Sequence, residues 1–276
     1  MLAVRNYPGT QAVARAVRLL KAFSDARPAW RLTDLARTAR LHKATAHRLL
    51  AALEREGMVA RDAAGERYRL GPEAIAIGAR AARANDLRAV SRAELERLSA
   101  DTCETATLEV LAGAEMLILD EVLGRALVGA AASLGTRWPV HATSTGKAVL
   151  AALSAPERRR LLSRRPVRCT PRTIVSAAGL ERELARVARR GFATALEELE
   201  PGYAAVGAVV VGGDGRPVAA ISVGGPRQRF TAARIDTLGA HVRGAAARVS
   251  VALGHQPAAS GLRSAVGGQR PAASGV

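Results

Sequence analysis

The chain has 276 residues, 49% of them hydrophobic, which is enough for two domains each with its own core. Its formal charge of +17 points to phosphates or another anionic surface as a partner, while two cysteines with no Cys-x-x-Cys spacing exclude a disulfide framework and a thiolate metal site. The apolar run "AAVGAVVVGG" (204–213) is about half the length of a spanning helix and "MLAVRNYPGTQAVARAV" has no signal core, so a cytoplasmic chain away from membranes is expected.

The charge is concentrated at the front. Residues 1–71 hold 14 Lys/Arg against 6 Asp/Glu, a net of +8, whereas residues 86–254 hold 23 against 17, a net of +6 over more than twice the length. The excess of Arg over Lys reads as codon bias and not as selection for bidentate phosphate contacts. Cys103 and Cys169 are expected to be buried, as small apolar residues.

In chain order, Val13, Ala16, Val17 and Leu20 fall at helical spacing from Thr10, and Pro28 is expected to stop that helix. A second, short helix begins at Thr33, whose side chain is placed as its N-cap. Ala39, Arg40 and Leu41 turn the chain into "LHKATAHRLLAALEREGMV" (41–59), where Ala46, Leu49, Leu50 and Leu53 form an inward stripe and Gly57 ends the helix. "MVARDAAGERYRLG" alternates about a Gly-containing turn, with Tyr68 and Leu70 on one side and Arg67 and Arg69 on the other. Three helices and a basic hairpin are the parts of a winged helix-turn-helix.

The outward face of the third helix carries Ala44, His47, Arg48, Ala51 and Arg55, flanked by Lys43 and Thr45. Alanines let the backbone approach a groove wall, His47 and Arg48 reach base edges, and Lys43, Thr45 and the helix N-terminal amides reach phosphates. Thr33, Arg67 and Arg69 complete the expected DNA-facing set. A surface helix with ordinary solvated charges is the plainer reading; the short helix, turn and basic hairpin around it favour the groove.

Pro72 opens an alanine-rich joint helix, "PEAIAIGARAARAND". Beyond it come a helix with Leu87, Val90, Leu95 and Leu98 on one face and the β-rich runs "TATLEVLA", "EMLILDEV" and "ALVGAAA". "HATSTGKAVLAAL" and "AGLERELARVARRG" read as helices, "YAAVGAVVVGGDGRPVAAISVGG" as a hairpin turning at Asp214 and Gly215, and Thr231 as the cap of a closing helix. Strands mixed with flanking helices indicate an α+β body on an antiparallel sheet. The expected limits are 1–71 for the head, 72–85 for the joint, 86–254 for the body and 255–276 for a disordered tail with "PAASG" twice.

No catalytic constellation stands out, and neither a cofactor nor a metal is implied. "HATSTGKA" ends in Gly-Lys, but His141 and Ala148 replace the glycine and hydroxyl that a phosphate loop needs. His141 reads as a structural hydrogen-bonder, "EELE" (197–200) as solvated loop charge, and "ERRRLLSRRPVR" as an exposed basic helix face. Ser144, Thr145 and Gly146, at a helix start, offer free amides to an anionic or carbonyl-bearing ligand.

In its head, and in "PVHATSTGKAVLAAL", "CTPRTIVSAAGLERELARVARRGFA", "EELEPGYAAVGAVV" and "DGRPVAAISVGGPRQRFT", the chain resembles the IclR family of bacterial transcriptional regulators from about Thr10 to Leu253. The resemblance implies a two-domain α+β protein: a winged helix-turn-helix, a linker helix and a GAF-like effector domain. It implies a homodimer or dimer of dimers on a near-palindromic DNA duplex, and a small-molecule effector that changes operator affinity, with no enzymatic activity. It also implies an effector pocket lined by Leu127, Ala130, Trp138, Ser144, Thr145, Ala195, Tyr203 and Ala205. Members that bind small keto acids often have Asp at the position of Ala195 and Cys at that of Ala205. Their loss beside Trp138 and Tyr203 implies a larger or more apolar ligand, such as an aromatic acid. An enzyme with a nucleic-acid-binding head, and a ligand-independent architectural protein whose body only dimerises, are the alternatives.

Overall fold

The computed structural model describes residues 10–24, 26–125, 134–162 and 166–256. The head comprises α1 (Gln11–Leu20), β1 (Trp30–Arg31), α2 (Leu32–Thr38), α3 (Lys43–Arg55), β2 (Val59–Arg61) and β3 (Arg67–Leu70). Its three strands pair antiparallel in the order β1-β3-β2. Leu19, Trp30, Leu35, Ala46, Leu50, Val59 and Tyr68 are buried together between helices and sheet.

Four local expectations fail here. Val13 and Val17 are 65% and 40% exposed, and α1 instead turns Leu19 inward with Ala16 and Leu20. The segment offers two overlapping apolar stripes, and the one with the larger side chains, Leu19, Leu20 and Phe23, removes more area from water. The helix ends at Leu20, well before Pro28. Thr33 does not cap α2: the N-cap position is Arg31, with no side-chain cap, because Arg31 is held in β1 opposite Arg67 and the chain passes straight from strand to helix. Leu70 is 44% exposed, since at its level β3 pairs only with Val59 of β2, and β1 has ended.

The α2–α3 turn closes as a Schellman motif. Arg40 N–H donates to Arg37 O (3.0 Å) and Leu41 N–H to Ala36 O (2.9 Å), which puts Arg40 at φ +54. A left-handed Arg is strained where Gly would not be. Arg40→Gly is therefore expected to raise the thermal stability of the head, by up to ~1 kcal/mol. An unchanged or lower melting temperature would show that the turn carries no strain.

The helix α4 (Pro72–Arg83) buries none of its residues and leaves Ile75 and Ile77 exposed. Asn85 then caps α5 (Asp86–Thr102), its Oδ1 accepting from Arg88 N–H at 2.9 Å. The body follows with β4 (Thr105–Ala112), β5 (Glu115–Val122), β6 (Arg137–Pro139), α6 (Ser144–Ala152), α7 (Ala155–Leu161), α8 (Ala177–Arg190), β7 (Ala193–Leu196), β8 (Tyr203–Val211), β9 (Pro217–Pro226) and α9 (Ala232–Ala252). The six strands form one antiparallel sheet, β6-β5-β4-β9-β8-β7. The expected strand "ALVGAAA" lies outside the described residues, as does the tail from residue 257.

Strand alternation decides what each sheet face offers. Ala106 and Leu108 of β4, Val206 and Ala208 of β8, and Ile221 and Val223 of β9 point to one side, where they pack with Leu95 and Leu98 of α5 and Leu238, Val242 and Val249 of α9. Met116 and Ala220 join the other side, packing with Val149 and Leu150 of α6 and Leu180 and Leu184 of α8. Thr231 caps α9 as expected, its hydroxyl accepting from Arg234 N–H. Both cysteines are exposed, contrary to expectation. Cys103 holds the left-handed position that ends α5 and Cys169 lies in an irregular segment, so neither sits on a core-facing face of a helix or strand.

Candidate functional site

Two surfaces carry the expected site residues. On α3, Lys43, Ala44, His47, Arg48, Ala51 and Arg55 are exposed and Thr45 is half-buried, while Ala46 and Leu50 are buried on the opposite side. Among the described residues, no ion pair or hydrogen bond holds the side chains of Lys43, His47 or Arg48, whereas Arg27, Arg31, Arg37 and Arg61 around them are paired to Asp34, Glu66 or Glu54. Lys43 and Arg48 of α3 are thus left free for an external partner, while Arg55 at the far end of the helix pairs with Glu56. Arg67 and Arg69 are exposed on β3, and Thr33 is exposed on α2. The backbone of Arg67 is anchored, its N–H donating to Asp62 Oδ1 at 3.2 Å.

The second surface is a cavity between the sheet and the N-terminus of α6, about 40 Å³ in volume. It brings together Trp138, Ser144, Thr145, Ala195, Tyr203 and Ala205; Leu127 and Ala130 lie outside the described residues. Two glycines allow it. A side chain on Gly207 would stand 3.0 Å from Ser144 Oγ, and one on Gly224 would collide with the Tyr203 hydroxyl. Thr143 caps α6, its Oγ1 accepting from Gly146 N–H at 3.0 Å. The helix start therefore faces the cavity with Ser144 and Thr145, both buried.

Sequence reasoning missed the cavity's polar floor. Thr107, Glu109 and Ser222 line it beside the expected residues. Glu109, 5% exposed, has Oε2 2.7 Å from Thr145 Oγ1 and Oε1 3.0 Å from Thr107 Oγ1, which in turn lies 2.8 Å from Ser222 Oγ. Burial pushes the Glu109 carboxyl above the usual carboxylate range, and the two threonine hydroxyls oppose that only in part. The signal was present in "TATLEVLA": alternation puts Glu109 on the face of Thr107, opposite Ala106 and Leu108. Burial also pushes the Tyr203 phenol up, so it stays protonated.

His141 is buried with Nε2 2.8 Å from Val167 O, the structural role expected of it. "EELE" is solvated loop charge only at its end, where Glu200 is exposed. Glu198 is buried and its Oε1 accepts from Lys147 Nζ at 2.5 Å, while Leu199 beside it lines the cavity. The acidic cluster looked solvated because its cation, Lys147, lies some fifty positions upstream. Among the described residues no group of three or more His, Cys, Asp or Glu could hold a metal ion, and no helix is long and apolar enough to cross a membrane.

The chain matches the family model described as "IclR helix-turn-helix domain" over residues 12–63 and that described as "Bacterial transcriptional regulator IclR C-terminal" over residues 79–251. The transcriptional repressor IclR of Escherichia coli K12 is 32% identical over 246 residues, 87% of this chain and 90% of that one. The crystal structure of the Thermotoga maritima IclR superposes with a TM-score of 0.67 at 27% identity, covering 88% of this chain and 98% of that chain. That of an IclR homolog from Microbacterium hydrocarbonoxydans, complexed with 4-hydroxybenzoate, does so with a TM-score of 0.73 at 29% identity and the same coverage.

Proposed function

Because the chain belongs to the IclR family of bacterial transcriptional regulators, with a helix-turn-helix DNA-binding domain and relatives named as regulators and repressors and not as enzymes, we propose that it is a repressor-type sensor whose operator affinity is set by a small organic acid in the cavity. The observation that carries this reading is the pairing, in one chain, of an α3 face on which Lys43 and Arg48 are exposed and unpaired and a cavity at a helix N-terminus. The proposal keeps 1–71 as the DNA-binding head, 72–85 as the linker, 86–254 as the effector domain and 255–276 as a tail.

Trp138, Ser144, Thr145, Ala195, Tyr203 and Ala205 line the proposed effector site. The relative bound to 4-hydroxybenzoate supports an aromatic acid as the class. A cavity of about 40 Å³ is smaller than the ~150 Å³ that takes benzene, so a ring enters by displacing Tyr203 or Trp138. Preference for glyoxylate or pyruvate over aromatic acids, read by Trp fluorescence, would contradict that class.

A homodimer or dimer of dimers is supported by exposed Val13 and Val17 on α1 and Ile75 and Ile77 on α4. Two recognition helices then meet a near-palindromic duplex with half-sites about one helical turn, or a multiple, apart. In this reading Ala44 allows close approach, His47 and Arg48 meet bases, and Thr33, Lys43, Thr45, Arg67 and Arg69 meet phosphates. Arg48→Ala is expected to cost about 1–3 kcal/mol on the preferred sequence and relax its selection, while Arg67→Ala weakens all duplexes alike. Equal losses on every duplex for both variants would refute the division of roles. A gel shift on the DNA upstream of its own gene, with candidate acids added, tests the whole reading. An architectural protein would show no ligand-dependent stabilisation, whereas an effector at a hundred times its Kd adds about 2.7 kcal/mol.

A further inference from the structure

Glu109 is a carboxyl group built into the floor of a cavity that, on the reading above, takes an acid. Among the described residues lining that cavity there is no Lys, Arg or His. The charged and titratable groups around Glu109 do not offset it. Glu121 of β5, paired across the ladder with Thr107, is another carboxylate pushed up by its own burial and by Asp120. Tyr203 of β8 is neutral, Lys147 of α6 is bound to Glu198, and the His141 ring is bound to Val167 O. A ligand carboxylate at the start of α6 would therefore meet a second carboxylate with no cation between them, an arrangement in which one of the two must be protonated.

The hydroxyl network shows where that proton acts. Thr145 Oγ1 has one hydrogen, directed to Glu109 Oε2 at 2.7 Å; Thr143 Oγ1, at 3.3 Å, already accepts from Gly146 N–H. With Glu109 ionised, the Thr145 hydrogen is spent on it, and Thr145 presents only lone pairs to the cavity. With Glu109 protonated, its O–H donates to Thr145 Oγ1, and the Thr145 hydroxyl is released to donate to a ligand oxygen. On the other side, Thr107 Oγ1 donates to Glu109 Oε1 at 3.0 Å and can accept from Ser222 Oγ at 2.8 Å, so Oε1 is already served and the proton belongs on Oε2, facing Thr145.

Resting on the assignment of the cavity as an effector site, we propose that Glu109 is a positioning residue whose proton sets Thr145 as a hydrogen-bond donor, so that an acid effector binds together with one proton per site. The site then favours ligands that accept hydrogen bonds, and its affinity for acids falls as pH rises through the Glu109 titration. An amine would be favoured by the opposite, ionised state.

The test uses the full-length protein as wild type, E109Q and E109A, with benzoate, pyruvate and benzylamine as probes. Binding is followed calorimetrically from about pH 5 to about pH 9, the span that buried glutamates reach. The infrared C=O band of an un-ionised carboxyl is recorded on the ligand-free protein at the acid end of that span. The expected results are a band that E109Q lacks and an acid-probe Kd that rises about tenfold per pH unit on the alkaline side of the transition. E109Q, whose amide always donates to Thr145, should keep the low-pH affinity with no pH dependence, and E109A should lose affinity throughout. Absence of the band, pH-independent acid binding by the wild type, or, on the acid side of the transition, a benzylamine preference that E109Q abolishes would each overturn the inference. A band with no binding by any probe would instead overturn the effector reading of the cavity, and the inference with it.

Discussion

Replacing Lys147 by alanine is expected to destabilise the protein by about 3–5 kcal/mol, because it strands a buried carboxylate. Lys147 is fully buried, with Nζ 2.5 Å from Glu198 Oε1 and 4.0 Å from Glu183 Oε1. Glu198 is itself buried, and its Oε2 has no hydrogen-bond partner. Burial already pushes its carboxyl up, and the Lys147 charge is the main force holding it down. With the cation gone, the folded chain would bind a proton there that the unfolded chain releases. Stability of the variant should then fall as pH rises above the ordinary carboxylate range, and the deficit should shrink in acid. Urea denaturation at two pH values checks both features. The double change Lys147→Met with Glu198→Leu should recover most of the loss, since apolar replacements of a buried ion pair are often neutral. A single-variant loss under about 1 kcal/mol would mean that the pair is solvated.

The second large effect concerns DNA. If a dimer of heads neutralises six to ten phosphates through Lys43, Arg67, Arg69 and the α3 N-termini, raising salt from about 50 to about 200 mM weakens binding by roughly 10³ to 10⁵. Each phosphate-directed cation removed should lower the slope of log K against log salt by about one. Fluorescence anisotropy on one duplex across a salt series measures this directly. A slope near zero would mean that the exposed cations of α3 and β3 do not face the backbone, however well the duplex is bound.

The head was legible because its signals are local. The inward stripe of α3 and the Arg67/Tyr68/Arg69 alternation are set by 3.6- and 2-residue periods, and Ala46, Leu50 and Tyr68 are buried as those periods require. β4 and β5 were read with their observed limits, 105–112 and 115–122, for the same reason. What failed depends on contacts distant in sequence. β1, β6 and β7 are two to four residues long and exist because a neighbouring strand pairs with them. Glu198 reads as solvated until Lys147 is brought beneath it. Six of the eight expected cavity residues meet around one void, but Glu109 was passed over, because a lone acid in a strand looks like a surface position until the opposite face is known to be covered by α6.

β4 is a partition shared by two compartments. Thr107 and Glu109 look into the cavity, while Ala106 and Leu108, one residue out of phase, are embedded among the side chains of α5 and α9. Two residues separate the end of α4 from the start of α5, and Arg88 and Arg92 near that start grip Asp120 of β5. Any change of bulk on the cavity side of this wall is therefore felt one residue away by the helix that leads back to the head. If the cavity holds the effector proposed above, an engineer who re-cuts it for a new ligand should expect to retune the gain of the response in the same stroke, and would do better to screen variants on promoter output than on ligand affinity alone.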